Sequence, residues 1–122
     1  MGGDRKEDNM VKYYLTKGIY DRSNMLRLEV KYKKEYGGYV AEINPCHKDE
    51  FSHGITYCKE YYDYYSTLVC DLVKCGRRSE KKFNEACAIA EQKSDELIQS
   101  YVNHAYNKGG RYIEVIGELK GE

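Results

Sequence analysis

Leu26, Leu28, Val30 and Tyr32 alternate with Arg27, Glu29, Lys31 and Lys33. A period of two places successive side chains on opposite faces of an extended chain, so residues 25–34 predict a strand with one buried and one wet face. Gly37-Gly38 follows. Glycine tolerates the positive φ that a two-residue hairpin turn needs. Setting Tyr36 opposite Tyr39 puts Lys34 against Ala41, Tyr32 against Ile43 and Lys33 against Glu42. The last is an opposite-charge cross-strand pair, so pattern and turn agree. Asn44-Pro45 is expected to end the second strand.

The remaining segments extend this sheet. Residues 11–16, Val-Lys-Tyr-Tyr-Leu-Thr, are β-branched and aromatic and predict a first strand. Gly18 and Asp21-Arg22-Ser23-Asn24 read as a break after it. Residues 45–54 are a polar loop. Residues 55–75 alternate twice, around Tyr57 and around Cys70, and read as two strands with a bend near Asp63 to Ser66; a helix over 58–70 competes, but tyrosine, threonine and valine favour strand. Ser79 is a predicted N-cap. From there Phe83, Ala86, Cys87, Ala90, Leu97, Ile98, Tyr101, Val102 and Ala105 recur at helical spacing. Gly109-Gly110 stops that helix, and residues 111–119 predict a last strand with Ile113, Val115 and Leu119 on one face.

The expected fold class is α+β: a mixed, mostly antiparallel sheet of four to six strands, one long C-terminal helix over about residues 79–107 packed on one face, and a final strand. Strand, helix and final strand form a crossover unit, right-handed if both strands share the sheet. The 122 residues suit one domain, 11–122, after a flexible N-terminus at 1–10. Lys6 stands where an N-myristoylation signal wants serine or threonine. No apolar run is long enough for a membrane span or a secretory leader. Five cysteines, Cys46, Cys58, Cys70, Cys75 and Cys87, without a leader point to free thiols in a reducing compartment, with the cytoplasm as the expected location.

Charges cancel over the whole chain, 20 basic against 20 acidic, but not locally. Residues 11–36 carry seven lysines and arginines against three acids, whereas residues 37–63 carry two against five. A neutral whole builds no broad positive field for non-specific nucleic-acid binding.

Five tyrosines fall within nine positions, Tyr57, Tyr61, Tyr62, Tyr64 and Tyr65, with Glu60 and Asp63 among them. One reading is that they fill the core and shield a sheet edge. The other is an exposed, mildly acidic aromatic patch that anchors a protein partner, because tyrosine offers large contact area at low entropic cost. Base stacking needs interleaved basic residues, and here only Lys59 serves. A basic patch of Arg27, Lys31, Lys33, Lys34, Arg77 and Arg78 is the second candidate surface. Arg77-Arg78-Ser79 at a helix start is also the best small-anion candidate.

Cys46, His47, His53, Cys58, Cys70 and Cys75 are metal-ligand types, but their spacings match no zinc motif. Cys70 and Cys75 would face opposite sides of a strand. No metal and no cofactor are expected. His53 and Cys58 lack an identifiable third group for nucleophilic catalysis. The leading expectation is therefore a small non-enzymatic protein-binding module, an inhibitor or adaptor compatible with phage or mobile-element origin, using the tyrosine segment and the basic hairpin. Its partner is another protein, with homodimerisation through the sheet edge as an option. A nucleic-acid-binding domain on the basic residues is the alternative, and a small enzyme with an anion site at the helix start ranks last.

Overall fold

The computed structural model describes residues 10–20, 23–48, 55–57, 67–109 and 113–119. Strands β1 (Met10–Tyr20), β2 (Ser23–Lys33) and β3 (Gly38–Lys48) form a meander. Then come β4 (Ile55–Tyr57), β5 (Leu68–Lys74), helices α1 (Glu80–Gln92) and α2 (Ser94–Gly109), and β6 (Glu114–Leu119). The fold is α+β. In the sheet β6, β1, β2 and β3 lie side by side, and β4 and β5 both pair with the outer edge of β3. All described pairings are antiparallel. The expected mixed sheet is thus antiparallel throughout these strands, because β6 docks beside β1 instead of β5. The α1–α2 connection crosses over β3, β2 and β1 to get there.

Alternation places the core as the sequence implied. Leu26, Leu28 and Val30 of β2, with Tyr39, Ala41 and Ile43 of β3, are buried against Phe83, Ala86, Ala90, Leu97, Ile98, Tyr101 and Val102. Each fully buried aliphatic side chain contributes roughly 1.5–3 kcal/mol relative to exposure. The predicted single helix is divided at Lys93 (φ −109°, ψ 19°). Its apolar stripe skips from Ala90 to Leu97, so the turn at Lys93 and Ser94 has no apolar side chain to pack on the sheet. The Ser94 hydroxyl also donates back to the Glu91 carbonyl at 3.4 Å, a bond that bends helices.

The hairpin register differs from the expected one. Lys33 pairs with Gly38, Tyr32 with Tyr39, Val30 with Ala41 and Leu28 with Ile43. Lys34–Tyr36 coil into a 3-10 turn closed by the Gly37 N–H donating to the Lys34 carbonyl at 3.0 Å. The tight two-residue turn is replaced by a longer one, and every pair moves by four residues. An even shift leaves each side chain on its expected face. The long Lys33 side chain therefore still comes within 3.6 Å of Glu42, four residues along β3 from its pairing partner Gly38.

Three further boundaries move. β1 runs through Gly18 to Tyr20, with its register to β2 irregular between Leu15 and Tyr20. β3 continues through Asn44-Pro45 to Lys48. Pro45 is tolerated because the outer ladder is interrupted there: β5 pairs with β3 as far as Ile43, and β4 takes over at Cys46. Within β5, an extra residue lies between the partners of Tyr39 and Val40, which are Val73 and Asp71. Such a bulge switches the facing of later residues.

Lys12 of β1 ties the layers together. Its ammonium donates to Glu118 of β6 at 2.9 Å and lies 3.0 Å from Glu91 of α1. Burial works against the charged form, but these carboxylates outweigh it and hold the Lys12 pKa above the ordinary lysine value.

Gly37 (φ +77°) and Gly38 (φ +156°) both need positive φ, but only Gly38 is crowded. A Cβ there would run into the Val73 carbonyl oxygen and come within 2.9 Å of the Cys75 nitrogen. Gly38→Ala is expected to destabilise the fold by about 2 kcal/mol or more. Gly37→Ala, with only the flexible Lys74 side chain nearby, should lose about 1–2 kcal/mol from backbone strain. Urea unfolding of the two variants checks the order.

Candidate functional site

The end of the sheet at the β2–β3 turn gathers polar and aromatic groups that are far apart in sequence. Tyr39 points into the core and is only 1% exposed. Its hydroxyl accepts from the Ser79 N–H at 2.9 Å and donates to the Ser79 carbonyl at 3.2 Å. Ser79 is the N-cap of α1, its side chain accepting from the Lys82 N–H at 3.2 Å, as the sequence implied. The Tyr39 ring packs edge-on against Tyr32, centroids 5.3 Å apart, and tilted against Phe83 at 5.8 Å. Tyr32 donates to the Gly76 carbonyl at 3.2 Å, and the Arg78 guanidinium sits over its ring at 5.3 Å.

The turn itself is held by β5. The Cys75 N–H donates to the Gly37 carbonyl at 2.9 Å, and the Lys74 ammonium donates to the Tyr36 carbonyl at 2.9 Å. Lys34, Lys74, Arg77 and Arg78 are all exposed at this end, and so is Tyr36. Tyr32, Tyr39, Phe83 and Arg78 also line a recess of about 170 Å³. A second recess, about 200 Å³, lies between Tyr14, Ile98 and Val115. Both are smaller than the roughly 300 Å³ at which drug-sized ligand pockets begin.

The face of the sheet away from the helices carries an ionic ladder. Glu29 and Glu42 stand directly opposite each other on β2 and β3, each only 7% exposed. Arg27 reaches Glu29 at 2.7 Å and Lys31 reaches Glu42 at 3.1 Å. Lys31 is also 3.7 Å from Glu29. Lys33 lies 3.6 Å from Glu42 and 3.7 Å from Glu35. Arg27 also donates to the Tyr13 hydroxyl at 3.4 Å.

The six cations of the expected basic patch are therefore divided. Arg27, Lys31 and Lys33 sit in the ladder among carboxylates. Lys34, Arg77 and Arg78 belong to the hairpin end. Tyr36 and Tyr39 flank the Gly37-Gly38 turn in the sequence, whereas Lys74 joins that end only through β5, and no local motif in the sequence marks it.

Of the tyrosine segment, Tyr57 is the last residue of β4. Glu60, Tyr61, Tyr62, Asp63, Tyr64 and Tyr65 lie outside the described residues, as do His53 and Cys58. Cys46 is buried in β3, and His47 follows it in the same strand. Cys70 and Cys75, expected on opposite faces, both pack against the helix-side core together with Cys87. The β5 bulge between them is the reason. Among the described residues no group of three or more histidine, cysteine, aspartate or glutamate side chains is arranged to hold a metal.

Compared with protein-family models, curated proteins and solved structures, the chain has no match.

Burial pushes the Cys70 thiol above its ordinary pKa, and the neighbouring Asp71 carboxylate adds to the rise. Its thiolate form is therefore scarce at neutral pH. Alkylation followed by peptide mass spectrometry should find Cys70 slower at about pH 8 than a cysteine in a short peptide, accelerating only as pH rises past the ordinary thiol range. Equal rates at pH 8 would contradict the shift. Tyr39→Phe should lose about 1–3 kcal/mol in denaturant unfolding, because it removes the acceptor of the part-buried Ser79 N–H and one of the two donors to the Ser79 carbonyl. Tyr36→Phe, at the exposed turn, should stay within about 0.5 kcal/mol of the parent.

Proposed function

We propose that the chain is a small non-enzymatic protein-binding module whose contact surface is the tyrosine segment: Tyr57, Glu60, Tyr61, Tyr62, Asp63, Tyr64 and Tyr65. Support comes from the register of the flanking strands. β4 makes its last pairing opposite Cys46 and β5 its first opposite Ile43. Only Asn44 and Pro45 separate those positions on β3, so two residues would suffice to carry an edge strand across. The chain instead has ten there, residues 58–67, including four of the tyrosines. That is length sheet pairing does not require. Its downstream end is tied to the sheet, since the Thr67 hydroxyl donates to the Asn44 side-chain carbonyl at 2.5 Å.

Surplus length at a sheet edge is where binding residues concentrate, on loops positioned by a rigid scaffold. Tyrosines there supply anchor area, and Glu60 and Asp63 select a basic partner surface. The partner is another protein of complementary charge, as an inhibitor or adaptor would have. A second copy of this chain is the alternative partner.

Tyr61→Ala combined with Tyr64→Ala tests the reading. With a partner captured from the native host and then purified, calorimetric titration should show binding weakened more than about tenfold. The thermal midpoint should move by no more than about 2 °C. Unchanged affinity, or collapse of the fold in the double variant, would overturn it. Sedimentation of the parent chain alone decides whether the partner is a second copy.

A further inference from the structure

We propose that the hairpin end of the sheet is a binding surface for single-stranded nucleic acid. Tyr36 would stack on a base, and Lys34, Lys74, Arg77 and Arg78 would contact the flanking phosphates. This surface is separate from the tyrosine segment, and its case rests on different residues.

The first observation is the sorting of charge. Arg27, Lys31 and Lys33 are matched by Glu29, Glu42 and Glu35 within 4 Å. They present little net positive charge. At the hairpin end, Lys34 and Arg77 are exposed and make no ion pair among the described residues. Lys74, besides its bond to the Tyr36 carbonyl, has an exposed ion pair with Asp71 at 3.2 Å, a kind of pair that contributes little. Arg78 lies over the Tyr32 ring, which orients its planar guanidinium at the surface.

The second observation is an aromatic ring among these cations. Tyr36 is 42% exposed, in a turn whose backbone is held by Lys74 and Cys75. Exposed rings interleaved with cations match the way proteins hold single strands, where bases stack on aromatic faces and the backbone follows the positive charge. An acidic polypeptide would use the cations but has no need of the ring. The fixed turn also limits the entropy lost on stacking. With four cations the footprint is short. The zero net charge of the whole chain adds no long-range attraction, so binding should be modest and sharply salt-dependent.

Fluorescence anisotropy of the full chain with a labelled oligothymidylate tests the proposal. Between about 25 and 200 mM salt, the slope of log affinity against log salt should be roughly −3, as four single-strand phosphate contacts imply. Lys34→Gln with Arg77→Gln should weaken binding and bring the slope toward about −1.5. Tyr36→Ala should weaken it roughly tenfold with the slope unchanged, and Tyr36→Phe should restore it. Lys31→Gln should have no effect on the slope. Neither Lys34, Arg77 nor Tyr36 is buried, and circular dichroism verifies that each variant is folded. The Tyr61→Ala, Tyr64→Ala variant should bind the oligonucleotide as the parent does. No binding at low salt would overturn the assignment. So would insensitivity to Tyr36→Ala, or a glutamate-rich peptide competing as well as the oligonucleotide, which would mark an acidic-polypeptide surface instead.

Discussion

One buried phenol sets the position of the helical layer. The Tyr39 hydroxyl is bonded to both the N–H and the carbonyl of Ser79, the residue that caps α1. A helix that begins elsewhere on the sheet would leave that buried hydroxyl and the Ser79 N–H without each other, at a cost of about 1–3 kcal/mol for each group left unpaired. The clamp also fixes the ring, which fills the space between Tyr32 and Phe83. With α1 anchored at its first residue, Phe83, Ala86 and Ala90 fall on β2 and β3, and Leu97, Ile98, Tyr101 and Val102 extend the same cover.

The two faces of the sheet do different work. Toward the helices, burial of aliphatic and aromatic side chains supplies the driving force. On the far face, Glu29 and Glu42 meet across strands, an arrangement that is unfavourable for like charges alone. Arg27, Lys31 and Lys33 surround the pair and reverse its sign. A ladder of this kind contributes less to stability than to specificity: slipping β2 by one residue would bring carboxylates into the core and leave cations unmatched. Because the ladder pairs the cations of mid-β2, the exposed cations nearest the turn are those of the hairpin end. Charge and exposed aromatic surface come to coincide there.

Much of the fold was legible in local patterns. The alternation from Leu26 to Lys33, the stripe from Phe83 to Ala105 and the Ser79 cap each reflect a period or a local bond, and each holds in facing, although the expected wet face of β2 is not open to solvent at Glu29, which is buried among its counter-ions. Less legible were features set by neighbours distant in sequence. Nothing between Lys34 and Gly38 announces that three residues wind into a 3-10 turn. Nothing in residues 70–75 announces the bulge that brings Cys70 and Cys75 to one face. The helix break at Lys93 lay open in the gap between Ala90 and Leu97, a signal hidden by the strength of the stripe on either side. Of the candidate surface, Arg77 and Arg78 stood out by adjacency. Lys74 did not, because only the pairing of β5 with β3 brings it beside Tyr36 and the turn.

The linear order of residues determined which side of each strand and helix is apolar, because a side chain's facing follows from backbone period alone and survives an even slip in register. Tertiary structure decided the register itself, the placing of β6 beside β1, and the separation of the ladder's cations from those of the hairpin end. Those depend on which strand edges remain open and which charges lie within a few ångströms, and such distances exist only once the chain has closed on itself.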